Sequence, residues 1–413
     1  MSKPMGAIPP EFTAGPGGVL EVGGRSAHDL AAQAGGTPLF VYDAGMVGDR
    51  IARFRNAFSG IGLHYAIKAN SYAPLLARIA KQVDGLDVAS AGEMHLALAA
   101  GTAPVAISFA GPGKRDEELA AAIEAGVTIN LESEGEGERA LAIARASGRS
   151  PRLAVRVNPD FELKGSGMRM GGGAKPFGID AERVPALVRR LREGGADWRG
   201  FHIFAGSQAL DASALAEAQA ATVALAARLA EQAAAPPPLV NLGGGFGIPY
   251  FHGERPLDTQ RVGAALAATL SARPAILRDT AFAIELGRWL VGEAGVYLTR
   301  IVDRKVSHGK TFLVTDGGMH HQLAASGNFG QVVRRNFPVA IASRFAAAAQ
   351  EDVTIVGCLC TPLDRLGDDV ATPVAAVGDL VAVFLAGAYG LSASPQAFLG
   401  HPQAHEILVG AGT

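Results

Sequence analysis

Eight short apolar runs, each followed by a stretch of helical character, constrain this chain more than any other feature. The runs are "LHYAI" (63–67), "GLDVA" (85–89), "VAISF" (105–109), "VTINL" (127–131), "LAVRV" (153–157), "FHIFA" (201–205), "LVNLG" (239–243) and "FAIEL" (282–286). Segments such as "YAPLLARIAKQV" and "AGEMHLALAAG" separate them and carry apolar residues at helical spacing. Eight β–α units over roughly 250 residues is the size of a (β/α)8 TIM-type barrel. Alternation alone also describes a doubly wound sheet, because it does not reveal closure.

After Gly287 the pattern changes to strands joined by turns: "GVYLTRIVDRKV", "KTFLVTDGG", "DVTIVGCLC" and "GDLVAVFLAGAYG". A second, mostly β domain is expected there. The expected division is an N-terminal segment 1–37, whose strand "GVLEVGG" joins the β domain, a barrel over 38–280, and a β domain over 281–413. With 48% hydrophobic and 18% charged residues, the 413-residue chain has the composition of a globular protein with large buried volume. A net charge of −2 offers no field for nucleic acid or an anionic membrane. The opening "MSKPMGAIPPEFTAGPGG" lacks a signal-peptide core, and no uncharged run is long enough to span a bilayer. Cys358 and Cys360 are the only cysteines and stand too close for an ordinary disulfide. A cytoplasmic setting is expected.

The chemically loaded residues fall at strand ends, where barrel active sites gather. Lys68 ends the first strand, His202 and Phe204 share a face of the sixth, "GGGFG" follows the seventh, and "ELGR" closes the eighth. An amine, an aromatic face, a backbone N–H cradle, a carboxylate and a guanidinium together suit pyridoxal 5'-phosphate (PLP). That cofactor needs a Schiff-base lysine, a phosphate cradle and an acidic partner for its pyridine nitrogen. On spacing alone, the ordinary strand-end lysine is the better reading of Lys68, and Glu285 is open to a structural salt bridge with Arg288. A carboxylate ending an apolar strand nevertheless calls for a cation, which a protonated pyridine supplies. The histidine pair His320–His321 lacks metal-ligand spacing, so no metal site is expected.

The motifs "YAIKAN", "DVASAGE", "RVNP", "GSQ", "GGGFG", "ELGR", "CTPLD" and "GAYG" occur in order. From "TPLFVYD" to the C-terminus the chain thereby resembles the fold-type III PLP decarboxylases, the diaminopimelate/ornithine decarboxylase group. "ISFAGPGK", "SGMRMGGG", "GFHIFAGSQ" and "HHQLAASGNFGQVVRRN" make it similar, more narrowly, to the decarboxylases of exosortase A polysaccharide systems. Relatives of that kind include carrier-protein glutamyl and siderophore-pathway decarboxylases. The resemblance implies an alanine racemase-like barrel with a C-terminal β domain and a homodimer with shared active sites. It also implies α-decarboxylation of an L- or meso-configured amino acid, free or attached to a carrier protein.

The resemblance further implies roles. Lys68 would carry PLP in Schiff-base linkage. Ser207, Gly243, Gly244, Gly245, Arg288 and Tyr389 match phosphate positions, with Arg288 and Tyr389 also near substrate. Glu285 matches the partner of the pyridine nitrogen, where racemases of this fold use arginine instead. Cys360 and Asp364 match groups that reach into the partner subunit's site, and Cys360 or Lys68 would return the proton to Cα. Two departures bear on specificity. Phe204 stands where diaminopimelate decarboxylases carry a ring-stacking histidine, so either Phe204 or His202 would face the cofactor; a core role for His202 stays open. Thr361 replaces the glutamate that pairs with a distal substrate amine, which points to an acidic or neutral distal end. Arg334 and Arg335 are candidates for a substrate carboxylate or a carrier-arm phosphate, or else surface or dimer contacts. The alternatives are a decarboxylase of diaminopimelate or another basic amino acid, and a catalytically silent PLP-binding regulator. Retention of Lys68, Glu285 and Cys360 speaks against silence.

Overall fold

The computed structural model describes residues 2–163, 165, 167–327 and 334–410. The chain divides into two compact units, one of residues 50–248 and 256–287, the other of residues 1–49, 249–255 and 288–413.

The first unit is a closed parallel barrel. Its strands are Gly62–Ala66 (β1), Gly85–Val88 (β2), Ile107–Phe109 (β3), Thr128–Leu131 (β4), Arg152–Asn158 (β5), Asp197–Ile203 (β6), Leu239–Asn241 (β7) and Ala281–Leu286 (β8). Each pairs with the next, and β8 pairs with β1, which closes the ring. All eight apolar runs thus become barrel strands, and closure removes the doubly wound alternative. Side-chain oxygens start several of the intervening helices. Ser90 accepts from the Glu93 N–H at the head of Ala91–Ala99, and Ser133 accepts from Glu136 ahead of Glu134–Ser147.

The barrel interior is unusually polar. Cores of this fold are dominated by branched apolar residues, yet here His202 lies level with Arg156 on β5 and Asn241 on β7. Glu285 lies level with His64 on β1.

The second unit is mostly β. Gly295–Ser307 (β9) pairs with Lys310–Thr315 (β10) on one side and Leu380–Phe384 on the other. Glu351–Val356 and Arg365–Thr372 extend the sheet beyond β10. Two expectations are corrected here. "GVLEVGG" does not join this sheet: Leu20–Val22 pairs with Thr13–Ala14 and Arg25–Ser26 in a small sheet of its own. The strand that does join it is Leu39–Asp43, which the sequence division assigns to the barrel; it pairs with β9 and with His405–Val409. "LFVY" is buried throughout, and a continuous apolar run fits any doubly covered strand, so periodicity cannot tell which sheet takes it. The barrel also ends later than 280, because β8 runs to Leu286.

Candidate active site

Lys68 occupies a short turn, Ile67–Ala69, directly after β1. Buried Ile67 and Ala69 anchor that turn, and Lys68 between them stays accessible. With Asp87, Arg156, His202, Phe204 and Glu285 it lines a cavity of about 230 Å³ at the C-terminal ends of the strands. The Lys68 ammonium stands 6.0 Å from the centre of the Phe204 ring.

His202 and Glu285, 3% and 8% exposed, meet inside the barrel. His202 Nε2 is 2.9 Å from Glu285 Oε2, but the N–H is off-line, since neither ring nitrogen has an aligned hydrogen-bond partner among the described residues. The contact is therefore chiefly Coulombic. Burial alone would raise the Glu285 carboxyl, yet His202, with lesser help from Lys68 and Arg156, outweighs it and holds the group down to about 2. Asn241 Nδ2 also approaches Glu285 Oε2, at 3.4 Å.

The same Asn241 shapes the glycine run, accepting at Oδ1 from the Gly243 N–H at 2.9 Å. Gly243 and Gly245 have φ of +68° and +82°, a region open mainly to glycine. A Cβ on Gly244 would lie 1.8 Å from the Glu285 carbonyl oxygen, so only glycine lets the loop approach β8 so closely. The Gly243 N–H is thus already engaged, whereas those of Gly244 and Gly245 make no hydrogen bond among the described residues. Ser207 Oγ is likewise buried without a partner among them. Unengaged donors beside an amine–carboxylate cavity fit a phosphorylated pyridine cofactor.

In the second unit, Arg288 opens the helix Arg288–Val291. It donates from Nη1 to Tyr250 Oη at 2.9 Å and stacks 4.8 Å from the Tyr389 ring centre. Tyr389 holds a φ of +54°, a strained conformation for its type. Cys360 is exposed, and Cys358 is half-buried with Sγ 3.7 Å from His401 Nδ1. Among the described residues, Thr361 Oγ1 makes a single long contact, accepting from the Leu363 N–H at 3.4 Å.

Asp364 is buried and accepts from the Met319 and Leu359 N–H groups at 2.6 and 2.8 Å, so it braces its own loop. Arg334 is similarly occupied: its guanidinium pairs with Asp368 at 2.6 Å and donates to the Ser326 and Arg365 carbonyls. These bonds tie Arg334 to its own unit, as a brace. Arg335 stacks 3.6 Å from the Phe251 ring centre. Residues 328–333 of the "HHQLAASGNFGQVVRRN" motif, and Ser166 of "SGMRMGGG", lie outside the described residues.

Sequence reasoning missed several cavity-side groups. Arg156 pairs with Glu132 at 2.8 Å and stacks over Phe177. Lys114, the last residue of "ISFAGPGK", is buried and donates to Glu136 at 2.7 Å and to the Gly111 and Asn130 carbonyls. The motifs "RVNP", "DVASAGE" and "ISFAGPGK" contain Arg156, Asp87 and Lys114, which was the only available signal.

Residues 44–292 match the family model described as "Pyridoxal-dependent decarboxylase, pyridoxal binding domain". The chain is 37% identical over 379 residues to the L-glutamyl-[BtrI acyl-carrier protein] decarboxylase of Niallia circulans, covering 90% of this chain and 88% of that protein. It is 33% identical over 398 residues to a diaminopimelate decarboxylase of Archaeoglobus fulgidus, covering 95% and 92%. A crystal structure of diaminopimelate decarboxylase from M. jannaschii in complex with L-lysine superposes with a TM-score of 0.87 at 26% identity, covering 97% and 93%. The chain belongs to the pyridoxal-dependent decarboxylases of fold type III. It is a PLP-dependent lyase.

Proposed function

We propose that the protein removes the α-carboxylate of an amino acid whose distal end carries no positive charge, with a carrier-protein-linked aminoacyl group as the preferred form. The observation that carries the reading is the shared cavity of Lys68, Phe204, His202 and Glu285. Lys68 would bind the cofactor covalently, and Glu285, kept anionic by His202, would pair with the charge on its ring nitrogen. Phe204 would offer an apolar face to its ring, and Ser207, Gly244 and Gly245 would hold its phosphate, with Gly243 shaping the loop; Arg288 and Tyr389 join them on the family resemblance. Bound there, PLP supplies the electron sink for the pair released when the Cα–carboxylate bond breaks. Carbon dioxide leaves, and Cα takes one proton from Cys360 or from the released Lys68.

The preference for a non-cationic end rests on Thr361, whose hydroxyl cannot form an ion pair, and on the 37% identity to a carrier-protein glutamyl decarboxylase. Asp364 and Arg334 act here as braces of the segments around Thr361 rather than as direct ligands. Diaminopimelate decarboxylation is the second reading, favoured by the 33% identity over nearly the full chain. Carbon dioxide release from glutamyl- or aminoacyl-carrier protein, set against meso-diaminopimelate and lysine, separates the two. Robust turnover of the basic amino acids would overturn the first reading.

We place the enzyme in the cytoplasm as a homodimer in which exposed Cys360 serves the partner's cavity. Mixing Lys68→Ala with Cys360→Ala subunits should then restore part of the activity that each lacks. An exopolysaccharide pathway fits the motif resemblance.

A further inference from the structure

None of the roles above uses His64. It points into the barrel from β1, level with Glu285. Gly85 on β2 makes room for it, because a Cβ there would stand 2.8 Å from atoms of the His64 ring. His64 Nδ1 is 3.3 Å from Asp87 Oδ1. The other carboxylate oxygen, Asp87 Oδ2, is buried without a hydrogen-bond partner among the described residues, and Asp87 lines the cavity containing Lys68. Towards the N-terminal ends of the strands, His64 also lines a smaller cavity of about 60 Å³, whose polar lining includes Ser108, Asn130, Asn241 and Arg199. The Asp87–His64 pair therefore lies between the two cavities, with one carboxylate oxygen committed to His64 and the other buried and unpartnered among the described residues.

A buried carboxylate oxygen is costly to leave without a donor, so Asp87 Oδ2 marks where a donor on a bound group is received. We propose that His64 is a positioning residue, fixing Asp87 so that its second oxygen can accept a hydrogen bond from the cofactor bound in the cavity above. The inference rests on the reading of that cavity as the seat of PLP. The charged groups facing His64 are Asp87 on β2, Asp84 just before β2, Glu285 on β8 and Arg199 in the lower cavity. Burial disfavours the imidazolium, and the three carboxylates outweigh burial, raising the histidine above its usual value. Losing that proton weakens the hold on Asp87, so binding should weaken as pH rises through the His64 titration.

The test is absorbance titration of apoprotein with PLP across pH, paired with NMR of histidine-labelled protein to follow the His64 ring. His64→Gln and Asp87→Asn should each weaken binding about tenfold, the size of one charge-assisted hydrogen bond. Each should also flatten the pH dependence, and the double variant should lose no more than either single one. His64→Asn, compared by circular dichroism and thermal unfolding, separates misfolding from mispositioning. Binding by His64→Gln within twofold of wild type at every pH, or additive losses in the double variant, would overturn the role. Lys68→Ala distinguishes this from failure of the underlying reading. If it retains a borohydride-reducible adduct, the cavity is not the seat. If it loses the adduct while His64→Gln titrates as wild type, only the role of His64 is rejected.

Discussion

His202 Nε2 stands 2.9 Å from Glu285 Oε2, with both side chains nearly excluded from water. A carboxylate this buried remains ionised only because cationic partners offset its lost hydration. Glu285 therefore presents an ionised carboxylate to the cavity, which on the proposed reading meets a protonated pyridine nitrogen.

Replacing Glu285 by Gln keeps the shape and removes that charge. Turnover should fall roughly 10²-fold, the scale of losing one preorganised electrostatic contact. Steady-state carbon dioxide release measures it, and a loss under threefold would detach Glu285 from the chemistry. The variant should also change acid stability. The folded carboxyl is held at about 2 against an ordinary 4.5, so its stabilisation is present above about 4.5 and is lost as pH falls toward about 2. Urea unfolding at stepped pH should show that loss in wild type and not in Glu285→Gln.

Lys114→Met should be severe although the residue makes no proposed contact with substrate. Its ammonium is buried, bonded to Glu136 and to the Gly111 and Asn130 carbonyls, and Gly111 lines the upper cavity. Removing one member strands Glu136 without its cation and should cost about 3–5 kcal/mol. Chemical denaturation reads this directly; a change below about 1 kcal/mol would show that water replaces the ammonium without cost.

That network also marks the limit of what the sequence reveals. The barrel strands are legible because their apolar runs are buried on both faces, and Lys68 and Glu285 stand out as charges at the ends of such runs. His64, Asp87, Arg156 and Asn241 do not stand out. Each alternates with apolar neighbours, a pattern that in an open sheet marks a solvent face. In a closed barrel the polar face turns inward, and closure is a property of the whole ring rather than of any one strand. The misplacing of Leu39–Asp43 has the same origin, since burial is visible in its sequence and partner choice is not.

The two cysteines should react differently with alkylating reagents. Burial, with Asp364 and Asp316 adding to it, pushes the Cys358 thiol up to about 11, whereas Cys360 is exposed. At pH 8 only about one Cys358 in a thousand is thiolate, the reactive form. Brief iodoacetamide treatment followed by peptide mass mapping should therefore find label on Cys360 first. Preferential labelling of Cys358 would mean that the loop opens in solution and that the assignment of the functional thiol is reversed.

On the proposed reading, substrate choice turns on Thr361. Its Oγ1 makes one long contact at 3.4 Å with the Leu363 N–H, so a longer side chain sacrifices little there. Asp364, three residues on, holds the loop through the Met319 and Leu359 N–H groups and should keep its course in the variant. On that reading Thr361→Glu supplies a carboxylate for a distal ammonium, and a charge-assisted pair contributes about 1.5–3 kcal/mol. The ratio of kcat/KM for meso-diaminopimelate to that for a glutamyl substrate should rise at least tenfold, through lower KM for the cation and repulsion of the anion. An unchanged ratio in a folded variant would mean that the distal end is read elsewhere, and Arg335 would be the next residue to replace.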